Sequence, residues 1–276
     1  MKHSTVHLKE YFPALGADNA DPTLTLYLPD NLESMGRQDQ QRPGILICPG
    51  GGYQLCSDRE SEMVALQFLC KGYCAFVLNY SVWPHGFPTQ IREVAGAVDL
   101  LHRNADIWHC DSNRLGILGF SAGAHLAAHY SNCFDCDEIR QVFPESKPVQ
   151  ASVLCYPVIT ADPSFRHTGS IQRLSGHENI TQEDIQCFSL ENKVTERTPP
   201  TFLWHTSQDG AVPVKNSLVY AQALAEKKIP FALHIYPFGG HGLSTVTRDT
   251  NDSIEPKVAM AADWIPALWK WLEFNL

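Results

Sequence analysis

A single hydroxyl, Ser121, stands between Gly119 and Gly123 in "GILGFSAGAHLAAH" (116–129), where an apolar run gives way to a helix-like pattern. A serine on such a strand-to-helix turn takes a strained backbone conformation, and the flanking glycines let strand and helix approach without Cβ clashes. The plainer reading of the same residues is a tight turn. A serine hydroxyl is a poor nucleophile at neutral pH, so chemistry at Ser121 needs a base to take its proton and an acid to orient that base. Both types occur after later apolar runs. Asp209 follows "TFLWHTS" within "HTSQDGAVPV", and His241 follows "FALHIYPF" on the glycine-flanked "PFGGHGL". The chemistry these three suit is acyl transfer.

Such a reaction builds an oxyanion that backbone amides must hold. The amide of Ala122 lies at the start of the helix after Ser121, where partial positive charge favours an anion. A second source is "CPGGGY" (48–53), whose successive glycines let backbone amides come close to a ligand. A phosphate cradle is the rival use of that loop. Its spacing departs from G-x-G-x-x-G, and no Lys-Ser/Thr follows it.

Other candidates carry less. His125 and His129 are one helical turn apart, but "HLAAH" lacks the zincin glutamate, and no metal is expected there. Cys133 and Cys136 form one C-x-x-C without a second pair, which reads as chance spacing. His205, upstream of Asp209 in its own apolar run, reads as a packed strand residue.

The elements that must position these residues alternate along the chain. "VHLKEYF" (6–12) and "TLTLYL" (23–28) alternate apolar and polar residues, as half-exposed strands do. Six further runs are nearly continuous in apolar residues, the mark of strands covered on both faces: 44–50, 73–80, 114–120, 151–157, 201–207 and 231–238. Helical spacing occupies 59–72, 88–108, 214–227 and 261–274 between and after them. Ser57 and Glu60 fit a capping box for the first of these helices. Trp264, Leu268 and Trp269 share one face of the last, which suits core docking. The alternation predicts one α/β domain over 1–276: an eight-stranded, mostly parallel sheet with helices on both faces. In such a sheet the loops bearing Ser121, Asp209 and His241 leave the carboxyl ends of their strands and meet on one rim. Residues 160–199 are polar and poorly periodic, and read as an insertion over one end of the sheet.

Composition narrows the partners. A net charge of −9 with no basic run argues against nucleic acid and anionic membrane surfaces, both of which need clustered Lys and Arg. No stretch resembles a signal peptide or a membrane span. Nine cysteines scatter through apolar contexts such as Cys48, Cys70, Cys74 and Cys155, and read as reduced, buried thiols in a cytoplasmic chain.

The motifs "CPGGGY", "SDRESEMVA", "LNYSVWPHGFP", "GILGFSAGAHLAA", "TPPTFLWHTSQDGAVPV" and "FGGHGL" together resemble the α/β-hydrolase esterases of the acetyl-xylan esterase group, relatives of the hormone-sensitive-lipase-like carboxylesterases. The resemblance covers about residues 44 to 272. It implies a Ser121–Asp209–His241 triad, with amides of Gly51, Gly52 and Ala122 as the oxyanion hole. The histidine of the esterase "HGGG" box is Pro49 here, which leaves Tyr53 as an alternative donor to Gly51. The activity implied is cleavage of short acyl esters, on sugars in particular, without cofactor or metal. Tyr53, Tyr80, Trp83 and Tyr156 are placed to stack on sugar rings, and the partner expected is a small-molecule ester such as an acylated sugar. A peptidase of the prolyl-oligopeptidase type and a non-catalytic hydrolase-fold binding protein are the alternatives.

Overall fold

The apolar runs pair into one sheet. A computed structural model, which describes residues 1–276, contains β1 (Lys2–His7), β2 (Thr23–Leu28), β3 (Arg42–Cys48), β4 (Cys74–Asn79), β5 (Cys110–Phe120), β6 (Ala151–Cys155), β7 (Thr201–Thr206) and β8 (Phe231–Tyr236). Their order across the sheet is β1-β2-β4-β3-β5-β6-β7-β8. The pairs β1–β2 and β2–β4 are antiparallel, and the other five are parallel. Parallel neighbours need crossover segments, and helices supply them.

Successive side chains of a strand point to opposite faces, so each central strand feeds two cores. Leu46, Ile117 and Leu154 face one core with α2 (Thr89–Arg103), α3 (Ser121–Cys133) and α6 (Lys215–Glu226). Ile45, Ile47, Leu118, Phe120 and Val153 face the other with α1 (Glu62–Cys70) and α7 (Trp264–Asn275). Trp264 and Leu268 are buried there, and Trp269 packs edge-on against Phe68 at 4.8 Å.

Three local expectations change. The strand expected over 6–12 is β1 at Lys2–His7, because Leu8 sinks into the core and Leu8–Tyr11 turns as a short helix. The run 231–238 was expected to be covered on both faces, but β8 is the sheet edge, and Phe231 and Ile235 stay exposed. Among the cysteines, all nine are free, and Cys70 is exposed at the end of α1 rather than buried.

The polar stretch 160–199 folds into α4 (Thr168–Ser175) and α5 (Gln182–Phe188). Ile171, Leu174, Phe188, Leu190 and Val194 are buried and fasten it to the core, while Phe165, Ile180 and Ile185 are only partly covered. Thr181 and Asp184 close a capping box on α5. No helix of the chain is long and apolar enough to cross a membrane.

Candidate active site

Ser121 begins α3 directly after β5, with φ at +52°, a left-handed conformation rare for a residue with a side chain. The turn is tight enough to exclude a side chain at Gly123, where a Cβ would lie 2.2 Å from the carbonyl oxygens of Cys48 and Pro49. The backbone after β3 therefore lies against the first turn of α3.

The loops after β7 and β8 bring the other two residues to it. His241 Nε2 is 2.7 Å from Ser121 Oγ, and His241 Nδ1 is 2.6 Å from Asp209 Oδ2. An ionised carboxylate only accepts, so Nδ1 carries the proton, and Nε2 is left to accept from the serine hydroxyl. Asp209 Oδ1 accepts the amides of Ala211 and Val212, both at 2.9 Å. Burial opposes ionisation of Asp209, but donors from His205, His241 and the Val212 amide outweigh it and hold the carboxyl well below the usual range.

His205 does more than pack. Its Nε2 faces two acceptors, Asp209 Oδ2 at 3.2 Å and the Val212 carbonyl at 3.0 Å, while Nδ1 faces the Ser217 hydroxyl at 2.8 Å. Two acceptors at Nε2 require the proton there, so Nδ1 accepts from Ser217. The fully buried imidazole thus braces the acid that orients His241. Its position four residues before Asp209, at the end of the same strand, is the signal that sequence reading passed over.

The glycine loop forms the opposite wall. The Gly50 amide donates to Glu60 Oε2 at 2.7 Å and is committed there. The amides of Gly51 and Gly52 have no partner within the protein, and both residues line the cleft over Ser121. Tyr53 is fully buried and off the cleft wall, which favours Gly51 over Tyr53 as the loop donor. Ala122, also without an amide partner, sits buried behind Ser121 at the start of α3. Pro49, where the esterase box has histidine, accepts the Tyr80 hydroxyl at 2.6 Å, which anchors the loop from below.

Glu60 was expected to cap a helix with Ser57. Ser57 makes no side-chain cap, and the Glu60 carboxylate turns inward to Gly50 and to the Tyr156 hydroxyl at 2.6 Å. Local spacing fitted the cap, but the tertiary donors were the stronger partners for a buried charge.

The cleft holds about 520 Å³. Its wall is polar: Arg59, His167, Arg173 and His241 stand around Ser121, and Leu55 is the one hydrophobic residue. His167 and Arg173 come from the 160–199 stretch, and Arg173 Nη1 donates to the Gly52 carbonyl at 3.2 Å. Neither residue was singled out from the sequence, because a polar, aperiodic segment gives no sign of where it folds back.

Three of the four aromatic candidates lie elsewhere than expected. Tyr53, Tyr80 and Tyr156 are buried, with hydroxyls bonded to His125 Nδ1, the Pro49 carbonyl and Glu60. They lie behind the residues of the cleft wall and have no free face for a sugar. Trp83 is 49% exposed and borders a hollow of about 360 Å³ that shares Arg173 with the main cleft. His125 also faces the Phe188 carbonyl through Nε2 at 3.0 Å, and burial keeps it and His129 uncharged, at about 4 and about 3. No three His, Cys, Asp or Glu side chains gather into a set that could hold a metal ion.

Known proteins resemble this chain in sequence and fold. The BD-FAE family model matches residues 24–224. An endo-1,4-beta-xylanase B from Butyrivibrio fibrisolvens is 38% identical over 81% of this chain and 36% of its own length. An acetylxylan esterase from Xylanibacter ruminicola is 32% identical over 82% of this chain and 44% of its own. The chain thus spans less than half the length of these two curated relatives. Among solved structures, an acetyl ester-xyloside bifunctional hydrolase from Caldicellulosiruptor lactoaceticus is 38% identical, with a TM-score of 0.83 over 98% of this chain and 95% of that one. A carboxylesterase from Lactobacillus plantarum is 26% identical, with a TM-score of 0.83 over 99% of this chain and 97% of its own. The sheet order and the strand-to-helix turn at Ser121 are those of an α/β-hydrolase. The chain belongs to the BD-FAE family, within the α/β-hydrolase carboxylesterase group.

Proposed function

We propose that the chain hydrolyses short-chain carboxylic esters, with acetyl groups on xylo-oligosaccharides as the natural substrate class. The observation that carries this is the unbroken hydrogen-bond chain from Ser121 Oγ through His241 to Asp209, opening on a polar cleft. His241 Nε2 takes the Ser121 proton as Oγ bonds the ester carbonyl carbon, and the amides of Gly51, Gly52 and Ala122 serve the oxyanion. Collapse expels the alcohol, which leaves with the proton from Nε2. Water, deprotonated by the same imidazole, then releases the acid and restores the serine. Asp209 keeps the imidazole in the Nδ1–H tautomer throughout. Residues 1–276 act as one catalytic unit in this scheme, with no cofactor or metal in any step.

The wall sets the substrate. Each buried methylene of a long acyl chain contributes about 0.8 kcal/mol only if apolar surface receives it. Leu55 alone cannot receive a long chain. Arginine and histidine donors suit sugar hydroxyls, and Trp83 offers one exposed ring for a neighbouring sugar. The names of the xylan-directed relatives support the same class. Nine unpaired thiols fit a reducing compartment such as the cytoplasm. The test is kcat/KM across p-nitrophenyl esters below their micelle concentrations, together with acetylated xylo-oligosaccharides. Acetate and propionate are expected to lead. A laurate or palmitate ester that outpaces acetate overturns the assignment.

A further inference from the structure

Glu60 is the only carboxylate on the cleft wall, and it is 3% exposed. Both of its oxygens accept: Oε2 from the Gly50 amide, Oε1 from the Tyr156 hydroxyl. The Tyr156 oxygen itself accepts the Ser244 amide at 2.9 Å, so its proton is free to go to Glu60. Ser244 Oγ donates to the Arg59 carbonyl at 2.6 Å, and Arg59 Nη1 donates to the Gly242 carbonyl at 3.1 Å. Three segments therefore meet around one side chain, two bonded to it directly and the third through the Tyr156 hydroxyl and Arg59. They are the glycine loop after β3, the turn after β6, and the loop that carries His241.

The contact reaches the nucleophile as well. A Cβ on Gly50 would lie 2.6 Å from Glu60 Oε2 and 3.0 Å from the Ser121 Cβ, so only a residue without a side chain fits between them. Tyr156 and Ser244 have φ of +36° and +50°, conformations that persist when surrounding bonds over-determine them. The Tyr156 ring also packs edge-on against His241 at 5.0 Å. The charged groups facing Glu60 are His241, once protonated, and Arg59. Cys56, Cys155, Tyr80 and Tyr156 beside it stay neutral, because burial pushes each of them up, Cys56 to about 12.

We propose that Glu60 is a positioning residue for ester hydrolysis: its carboxylate holds the oxyanion loop directly and the His241 loop through the Tyr156 hydroxyl, at one fixed spacing, and its charge favours the imidazolium that forms as Ser121 loses its proton. The inference rests on the esterase reading above. Fixing the Gly50 peptide fixes how the next two amides enter the cleft, and misplacement of such donors by a fraction of an ångström is costly.

The experiment compares wild type, Glu60→Gln and Tyr156→Phe on p-nitrophenyl acetate, each titrated with a fluorophosphonate and melted in parallel. The amide of E60Q accepts from Gly50 but gives the Tyr156 proton no acceptor. Its kcat is expected to fall about 10- to 100-fold with KM within about twofold. Its kcat/KM profile should also keep its acid limb at lower pH than wild type, since the base no longer has a carboxylate favouring its protonated form. Tyr156→Phe removes only the bridging hydroxyl and should lower kcat about 5-fold, with the acid limb unmoved. Variants that melt earlier but turn over at the wild-type rate per titrated site overturn the proposal. If E60Q does not fold, wild-type kcat in Tyr156→Phe overturns it alone. A wild type inert toward all esters sinks the esterase reading and this inference with it, whereas an active wild type with indifferent variants sinks the bridge only.

Discussion

Asp209, on the loop after β7, and Glu60, in the turn before α1, are both buried acids that bear on His241, yet their surroundings push them in opposite directions. Burial raises both. At Asp209 it is overcome by two imidazole N–H groups and two backbone amides. At Glu60 burial prevails over the Tyr156 hydroxyl, the Gly50 amide and the nearby positive groups, and the carboxyl sits above its ordinary range. The number of donors separates a carboxylate that is always charged from one that is held in place at a cost. The first orients a base, and the second ties two loops together.

Asp209→Asn attacks that contrast hardest. The amide can present N–H to His241 and favour the wrong tautomer, so kcat for p-nitrophenyl acetate should fall roughly 10⁴-fold, far beyond the loss at Glu60→Gln. Comparable losses in steady-state kinetics would erase the distinction between orienting and bridging.

His205→Phe moves Asp209 toward the state of Glu60 by removing one donor. A hydrogen bond to a charged group is worth about 1.5–3 kcal/mol, so kcat should drop about 10- to 100-fold and the melting temperature with it. An unchanged kcat would mean that His241 and the backbone amides suffice.

Stability against pH should have opposite signs at the two acids. The depressed Asp209 contributes stability above its unfolded value of about 3.9, lost as pH falls through the lower folded value. The raised Glu60 contributes below its unfolded value of about 4.3, and that contribution is lost as pH rises through the higher folded value. In thermal melts across acidic and neutral pH, the advantage of wild type over Asp209→Asn should shrink on acidification. Its advantage over Glu60→Gln should shrink as pH rises. Parallel trends would refute the comparison.

The smallest effect concerns neither acid. Trp83→Ala should lower kcat/KM on acetylated xylo-oligosaccharides about 3- to 10-fold and leave p-nitrophenyl acetate unchanged, because stacking of a ring is worth about 1 kcal/mol. Equal loss on both substrates would place Trp83 in the reaction centre rather than beside it.

The same two acids mark how far the sequence can be read. Asp209 was legible because buried strands in a parallel sheet end on one rim, so a residue just past such a strand has its place fixed by topology. Glu60 was misread because S-x-x-E describes a local cap, while its actual partners lie 10 and 96 residues away. Tyr53, Tyr80 and Tyr156 failed likewise: an aromatic near a rim looks the same in sequence whether its hydroxyl is buried or its face is free. Residues 160–199 hid His167 and Arg173, since α4 and α5 are held by a few buried apolar anchors and a cap rather than by a periodic face.

The most direct measurement is to quench p-nitrophenyl acetate turnover with acid in the steady state and locate the acetyl group by peptide mass spectrometry. The account predicts acetyl on the peptide containing Ser121, none in Ser121→Ala, and a loss of roughly 10⁴-fold or more in kcat for that variant while it stays folded. Turnover with no acetyl on Ser121, or more than about a tenth of the activity kept by pure Ser121→Ala, would contradict the account, since a covalent nucleophile cannot be spared.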